Sequence, residues 1–382
     1  MVLGGGLVGG FIARTLAVQD GAAVSLVDRD REALTAAAAA APVAIRSGDL
    51  SQPGAVGKVV DDADVVVGAL PGCLGYRALE AVIAAGKPVV DISFFGEDAR
   101  GLDEAARKRG VTAVVDCGVM PGLGGMLAAH LAAKLDEALE LRILVGGLPV
   151  ERRWPLEYRA PFSPADVIEE YTRPARIRIN GGLVTQPALS DVELIDLPQV
   201  GTLEAFNTDG LRSLLHTLAI PTMVEKTLRW PGHAAKMRLL RDLGLFGTEP
   251  LELDGTTIQP LKVTARLLDG VWRLRPGMRE FTVMRVEVSG VRGGRHHWER
   301  CDLLDYTDEQ SGDFSMARTT GWPAVLAALA LASGRFAALQ DHAGIRFPEQ
   351  LAQDDELLGF IQDGLARAGI ALSFSSRQAD HS

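Results

Sequence analysis

Met1-Val2-Leu3-Gly4-Gly5-Gly6-Leu7-Val8-Gly9 opens the chain, and the spacing of its glycines decides how the rest is read. Gly4-x-Gly6-x-x-Gly9 follows an apolar run and leads into Phe11-Ile12-Ala13, the beginning of a helical pattern. The first glycine of such a turn permits the tight bend. The second lets backbone approach a pyrophosphate, and the third lets helix and strand pack closely. The helix then presents unpaired N–H groups and a positive dipole end to the phosphates. Gly4, Gly6, Leu7, Val8 and Gly9 are therefore candidate dinucleotide contacts.

A glycine motif alone is weak evidence, and the next run strengthens it. Ala23–Val27 reads as a second strand, and Asp28 ends it, about twenty residues past Gly9, where a carboxylate can accept both ribose hydroxyls. An acid there repels a 2′-phosphate, so NAD is expected in preference to NADP. Arg29 pulls the other way, because a neighbouring guanidinium can accept that phosphate. Asp49 follows the third apolar run and can either meet the adenine amine or cap its own turn. Ala69-Leu70-Pro71 ends the fourth, where the chain is expected to pass the nicotinamide ribose. A first strand usually runs about five or six residues. Only three residues precede Gly4, so a start upstream of Met1 is expected.

Working outward, short apolar runs alternate with helical stretches over the first ~120 residues. The runs are Ala23–Val27, Val43–Ile45, Asp64–Leu70, Pro88–Ile92 and Thr112–Val115. Arg31–Ala41, Gly75–Ala85 and Glu97–Arg109 lie between them. This pattern predicts a doubly wound parallel sheet, and the unbroken apolar runs suit strands covered on both faces. The pattern changes near Pro121. Leu141–Val145 reads as a strand, and Ser163-Pro164 as a helix start with Ser163 as N-cap. Asn180-Gly181-Gly182 and Arg292-Gly293-Gly294-Arg295 read as hairpin turns between strand-like flanks. The middle region is thus α+β with a mixed sheet. From Trp322 the chain reads as helical to about Ala368 and is expected to return to the first domain. The expected division is 1–121 with 318–382, and 122–317.

Composition bounds the rest. At 382 residues, with about 150 per domain as a guide, two or three domains are expected. A hydrophobic fraction of 47% supplies ample core, and a net charge of −10 argues against a nucleic-acid backbone as partner. Cys73, Cys117 and Cys301 are few, odd in number and far apart. They suggest neither a zinc site nor a disulfide framework, and they fit reduced thiols in a cytoplasmic enzyme. The run Trp322 to Ser333 is too short to span a bilayer. No metal and no membrane partner are expected.

Further motifs carry a resemblance. Ala69-Leu70-Pro71, Val115-Asp116-Cys117-Gly118-Val119-Met120-Pro121-Gly122 and Gly146-Gly147-Leu148-Pro149 resemble the saccharopine dehydrogenase superfamily. So do Pro155-Leu156-Glu157-Tyr158, Phe162-Ser163 with Glu170-Tyr171, Leu203-Glu204-Ala205-Phe206-Asn207-Thr208-Asp209-Gly210, Arg229-Trp230-Pro231-Gly232-His233 and Ala317-Arg318-Thr319-Thr320-Gly321. The compact length and the run Gly146–Tyr171 are most similar to the L-lysine 6-dehydrogenases within it. The resemblance implies a Rossmann domain completed by the C-terminus, and a middle domain that covers the substrate and makes subunit contacts. It implies NAD-linked oxidative deamination of the ε-amino group of L-lysine. The product is 2-aminoadipate 6-semialdehyde, which closes to a cyclic imine, with release of ammonia.

That chemistry needs a proton acceptor for an ammonium, an oriented water, and groups that hold the far end of the amino acid. His233 can take the proton in its neutral form or serve as a core histidine. Asp209 can pair with the ammonium, and Asn207 and Thr208 can hold water or carboxylate. Thr208 or Asp209 can equally cap a helix. Glu157 and Tyr158 are candidates for ammonium binding. Asp116 ends an apparent strand, where open α/β sheets place their ligand crevice. Arg212 and Arg229 are candidates for the substrate carboxylate. Two alternatives stay open. A saccharopine dehydrogenase or reductase-type enzyme would handle a larger, doubly acidic substrate and demand more cations. A non-catalytic NAD-binding regulator would need no turnover machinery. A homodimer is the expected assembly.

Overall fold

The computed structural model describes residues 1–338 and 342–379. It divides into two compact units, Met1–Ala129 with Ala317–Ile370, and His130–Met316 with the chain from Ala371. The first unit opens with β1 (Val2–Leu3), α1 (Leu7–Ala17), β2 (Ser25–Asp28), α2 (Arg31–Ala40), β3 (Ala44–Ser47) and α3 (Ala55–Val59). It continues with β4 (Val66–Gly68), α4 (Gly72–Ala84), β5 (Val89–Asp91), α5 (Asp103–Arg109) and β6 (Thr112–Val114). The division falls inside α6 (Leu123–Ala132).

The second unit runs through β7 (Glu137–Pro149), α7 (Pro164–Thr172), β8 (Ala175–Ile179), β9 (Gly182–Gln186), β10 (Glu193–Leu197), β11 (Gly201–Asn207) and α8 (Leu214–Thr217). It goes on with β12 (Thr222–Arg229), α9 (His233–Asp242), β13 (Leu251–Leu253), β14 (Thr256–Ile258), α10 (Pro260–Trp272), β15 (Glu280–Arg292) and β16 (Arg295–Tyr306). After these come α11 (Ser315–Ala332), β17 (Gly344–Arg346), α12 (Pro348–Leu351), α13 (Asp355–Arg367) and β18 (Leu372–Gln378).

Seven strands of the first unit form an all-parallel sheet in the order β17-β6-β5-β4-β1-β2-β3. This is the doubly wound order expected of a dinucleotide domain, extended by β17. Brief as it is, β1 is central: Val2 pairs with Leu26 and Val67, and Leu3 with Val27 and Gly68. Leu3, Val27, Val66, Val89 and Ile345 are buried together beneath the helices. Burial of each such side chain is worth roughly 1.5–3 kcal/mol. Asp30 starts α2 by accepting hydrogen bonds from the N–H groups of Glu32 (2.9 Å) and Ala33 (3.3 Å).

The second unit is built on a nine-stranded mixed sheet with the central path β10-β11-β12-β7-β15-β16-β18, and with β8 and β9 joined to it through β12. Register sorts its residues by face, because side chains alternate along a strand. Glu204 pairs with Arg229, Phe206 with Thr227, Glu225 with Ile143, and Pro149 with Glu280. These residues share one face. The opposite face carries Leu144, Leu148, Leu203, Ala205, Leu228, Phe281 and Val283, which form a core of their own. The polar face gains its apolar cover from α7, α9 and α10, through Ile168, Tyr171, Ala234, Met237, Leu268 and Trp272.

Several expectations change in detail. Glu97–Arg109 divides into a short 3-10 turn, Ala99–Leu102, and α5. The strand foreseen at Leu141–Val145 extends over Glu137–Pro149. Ser163 precedes α7, but its side chain makes no capping hydrogen bond. Both hairpins form, with Asn180 (φ 47°) and Gly181 (φ 84°) at one turn, and Gly293 (φ 58°) and Gly294 (φ 74°) at the other. The C-terminal helix starts at Ser315 rather than Trp322 and takes Pro323 into its length. The helical stretch expected onward to Ala368 is interrupted by β17 and crosses residues 339–341, which lie outside the described residues, as do the last three residues of 318–382. The expectation that all of 318–382 joins the first domain is corrected at its end. β18 pairs antiparallel with β16 from Leu303↔Leu372 to His297↔Gln378, because the backbone groups of β16 need partners on that side. The other expected boundary, residue 122, lies within the first unit, which holds the chain to Ala129.

The aromatic packing of the second unit yields a stability test. Trp272 is 1% exposed, with its ring 5.3 Å from that of Tyr158 and 6.4 Å from that of Tyr171. Trp272→Ala is expected to cost about 3–5 kcal/mol, read as a lowered urea midpoint. A midpoint shift under one kcal/mol-equivalent would show that this cluster does not hold the helices to the sheet.

Candidate functional site

The first candidate region is the glycine turn. Gly4 has φ +102°, and a Cβ there would lie 2.3 Å from the Ala69 carbonyl oxygen. At Gly9 a Cβ would lie 2.0 Å from the Gly4 carbonyl oxygen, so α1 can approach β1 only without a side chain. Gly6 faces open space, with nothing within 4 Å of a Cβ placed there. It stands at the N-cap of α1 with no side-chain cap, and Leu7, Val8 and Gly9 form the first turn. Closed packing on two sides and an open approach at the helix start fit a pyrophosphate. The arrangement therefore fits a nicotinamide dinucleotide, bound through backbone N–H groups.

Asp28 ends β2 beside this turn. Its Oδ2 accepts from the Gly5 N–H (2.5 Å) and its Oδ1 from the Asp30 N–H (2.7 Å). Each oxygen retains a second lone pair. Arg29 is exposed. Asp49 is committed to its own turn, accepting from Ser51 Oγ (2.6 Å), Ser51 N–H (3.1 Å) and Gln52 Nε2 (3.0 Å). Those bonds, the Ser51 hydroxyl first, hold its carboxyl down at about 2. The turn-capping role, rather than the adenine contact, is the one its geometry supports. Ala69, Leu70 and Pro71 follow β4, and Pro71 N-caps α4. Asp116 is 4% exposed, with left-handed backbone at φ 57°.

The second candidate region is the polar face of the mixed sheet. Arg229 lies at its centre, 4% exposed. Its Nη2 donates to Glu170 Oε2 (2.7 Å) and Tyr158 Oη (3.3 Å), its Nη1 to the Leu228 carbonyl (3.0 Å), and its Nε to Tyr171 Oη (3.4 Å). Burial alone would pull the guanidinium down, but Tyr158, Tyr171 and Glu170 raise it above its ordinary value, so it is a fixed cation. Burial pushes the Tyr171 hydroxyl up to about 12 and the Tyr158 hydroxyl well up, so both remain neutral donors. Burial also pushes the Glu170 carboxyl up, against the pull of Arg229. The expectation that Arg229 binds the substrate carboxylate is corrected, since four of its five N–H groups are engaged within the protein and Glu170 answers its charge.

His233 is brought to this cluster by α9. Glu204 on β11 accepts from the N–H groups of Gly232 (2.9 Å) and Ala234 (2.7 Å), which pins the start of that helix. His233 is 2% exposed. Its Nδ1 lies 3.0 Å from the Leu156 carbonyl oxygen and its Nε2 3.0 Å from Tyr171 Oη. A carbonyl only accepts, so Nδ1 carries the proton and Nε2 accepts from the tyrosine. Burial, aided by Arg229, pushes the imidazole down to about 3. The expectation of a general base is therefore corrected: both ring nitrogens are used, and His233 positions Tyr171.

The polar stretch after β11 is also spent on structure. Asp209 accepts Arg176 Nε (2.9 Å), Nη2 (2.8 Å) and backbone N–H (3.1 Å), which removes it as a partner for a substrate ammonium. Asn207 Nδ2 donates to Ser190 Oγ (3.1 Å), and its backbone ties the loop at Leu189 and Ser190. Thr208 Oγ1 donates to Glu225 Oε2 (2.7 Å) and lies 2.8 Å from Thr227 Oγ1, so its hydroxyl is not given to water. Glu157 meets Arg152 (3.1 Å) and Lys236 (3.9 Å), which answers its charge near the surface. Arg212 is buried with left-handed backbone at φ 43°.

Of the expected residues, the structure gathers Tyr158, Arg229 and His233, with Thr208 joined through Glu225. Glu170, Tyr171, Glu204 and Glu225 complete the cluster and were not singled out as site residues. A signal for Glu225 existed. Period-two alternation in Thr222–Arg229 puts Glu225, Thr227 and Arg229 on one face. Among the described residues, no group of three or more His, Cys, Asp or Glu can hold a metal, and no helix is long and apolar enough to cross a membrane.

Comparison with known proteins finds two family matches along the chain, the second of which runs through Ala317–Ile370, a segment that folds with the first unit. Residues 1–114 match the saccharopine dehydrogenase NADP binding domain, and residues 118–370 the saccharopine dehydrogenase C-terminal domain. The chain is 26% identical over 311 residues to mouse mitochondrial alpha-aminoadipic semialdehyde synthase, covering 76% of this chain and 33% of that protein. It is 26% identical over 261 residues to carboxynorspermidine synthase from Vibrio cholerae, covering 65% of this chain and 60% of that protein. The chain thus spans less than two thirds of either relative's length. Saccharopine dehydrogenase (L-Glu forming) from Saccharomyces cerevisiae shares the fold, with TM-score 0.79 at 19% identity over 98% of this chain and 99% of that one.

The state of His233 is open to direct measurement. Its imidazole is expected to stay neutral, with the proton on Nδ1, from pH 9 down to pH 5, read by 15N imidazole shifts. An imidazolium at pH 6 would contradict the assignment. A base with a lowered pKa opposes folding as pH falls from about 6.5 toward 3, because only the unfolded chain takes the proton.

Proposed function

The chain belongs to the saccharopine dehydrogenase family, and from that premise we propose an NAD-dependent oxidoreductase that deaminates the ε-carbon of L-lysine. A bound nicotinamide accepts the hydride that leaves this carbon. The substrate gives up one C–H with its electron pair and one N–H proton, forming an imine. Water then adds, releasing ammonia and leaving 2-aminoadipate 6-semialdehyde, which cyclises with its own α-amine.

The observation that carries the choice of substrate is the charge of the polar face. In register there, β11, β12 and the start of β15 present Glu204, Glu225 and Glu280, while the guanidinium groups of the same face are engaged, Arg229 by Glu170, Arg176 by Asp209 and Arg178 by backbone carbonyls. Burial pushes the Glu280 carboxyl up to about 8 and the Glu225 carboxyl up to about 7. A face whose cations are already engaged within the protein favours a substrate that brings an ammonium. A doubly acidic substrate such as saccharopine would call for more guanidinium groups. Asp28 beside the glycine turn supports NAD over NADP, since its carboxylate opposes a 2′-phosphate. A cytoplasmic homodimer completes the reading. β18 ends the sheet of the second unit, and an edge strand offers unpaired backbone to a second copy.

Purified protein given NAD or NADP with L-lysine, saccharopine, ornithine or 2-aminoadipate is expected to reduce NAD with lysine, followed by absorbance. The absence of reduced cofactor with lysine would sink the substrate assignment. A tenfold preference for NADP, about 1.4 kcal/mol, would overturn the role of Asp28. Light scattering is expected to give twice the chain mass of 40.7 kDa, and a monomer at micromolar concentration would refute the dimer.

A further inference from the structure

Glu225 is a buried carboxyl whose hydrogen bonds come from neutral donors. Its Oε2 accepts from Thr208 Oγ1 (2.7 Å) and from the Gly210 N–H (3.0 Å). The fit is close, since a Cβ at Gly210 would lie 2.5 Å from the carboxyl. Among the described residues, Oε1 accepts no hydrogen bond. Glu225 is 2% exposed, whereas the side chain of Glu170 is 29% exposed. One carboxyl thus opens to solvent and the other lies deep, and their charges repel each other. Arg229 is given to Glu170 at 2.7 Å, and Asp209, which also repels Glu225, is answered by Arg176 at 2.8 Å. Among the described residues, the charges that act on Glu225 are those of Glu170 and Asp209, both repelling it, so its own negative charge when ionised has no cation beside it.

We propose that Glu225, with Glu170 at the entrance, is the receptor for the primary ammonium of the substrate, and that this ammonium displaces the proton Glu225 holds in the free protein. The proposal rests on the amine-oxidising reading above and names the residue that meets the amine. The exchange balances without a redox step: a neutral carboxyl and R–NH3+ give a carboxylate–ammonium pair and one proton in solution. Oε1 is the acceptor available for it. Thr208 and Gly210 hold the other oxygen, which fixes the plane of the carboxyl. Because burial pushes Glu225 up to about 7, the proton competes near neutral pH. The sign follows from mass action. Affinity for an ammonium is unchanged well above pH 7, and falls with acidification toward tenfold per unit below about pH 6.

Calorimetry without nicotinamide tests this at pH 6.0, in two buffers of different ionisation enthalpy. The probes are L-lysine, 1,5-diaminopentane, and L-norleucine, which matches the lysine carbon chain without the amine. The expected result is release of close to one proton per lysine or diamine bound, with lysine at least tenfold tighter than norleucine. Glu225→Gln keeps both hydrogen bonds through its amide oxygen. It is expected to abolish the proton release and the preference for lysine, with an unchanged circular dichroism spectrum. Amine binding without proton release by the unaltered protein overturns the proposal, whether or not the variant folds. Failure of every probe to bind overturns it too. Lysine turnover with pH-independent lysine binding would remove this proposal alone. Proton-linked amine binding without any amine oxidation would remove only the dehydrogenase reading.

Discussion

The second unit depends on one ion pair, that of the buried Arg229 with the partly exposed Glu170 at 2.7 Å. A guanidinium taken out of water loses several kcal/mol of hydration, and only close partners recover it. Here the recovery is shared. Glu170 supplies the opposite charge, Tyr158 lies under the guanidinium with its ring centre at 4.3 Å, and Tyr171 accepts at Nε. Tyr171 can serve in this way only with its hydroxyl turned, and His233 Nε2 takes the proton it offers. The tautomer of His233 is in turn set by Leu156. The ion pair therefore fixes α7, α9 and the end of β12 at once. Losing Glu170 would leave the buried guanidinium without its opposite charge.

Several of the expected site residues are, like Arg229, engaged within the protein. A sheet that buries polar residues has to satisfy each of them. Asp209, Asn207 and Thr208 lie where the chain leaves β11, and each is used there: Asp209 on Arg176, Asn207 on the loop at Ser190, Thr208 on Glu225. A polar run between apolar stretches shows that something must be satisfied. It does not show whether the partner is a ligand or the protein. Glu225 was legible in principle from the alternation along β12. Glu170 was not, since its role depends on α7 crossing a strand far away in sequence.

The first unit was more legible because local rules govern it. Glycine spacing, an acid at the end of the second strand, and alternating strand and helix patterns all act over short sequence distances. β18 was missed for the opposite reason. Its residues Leu372–Gln378 are mostly exposed, so no apolar period marks them, and they form a strand because β16 offers an edge. The long strands β15 and β16 were found only in part, since a hairpin turn predicts its flanks but not how far the ladder continues. β1 shows how little apolar sequence a central strand needs when neighbours on both sides fix it.

Asp28 and Glu225 make a useful contrast. Both carboxyls accept two donors. Asp28 accepts from two backbone N–H groups at a partly exposed strand end. It is suited to hydroxyls, which share its lone pairs without moving a proton. Glu225 accepts from one hydroxyl and one N–H with almost no exposure, so the same two bonds leave it near neutrality. Burial rather than residue type separates the two. A carboxyl that meets an ammonium gains from being poised, because the arriving charge then decides its protonation.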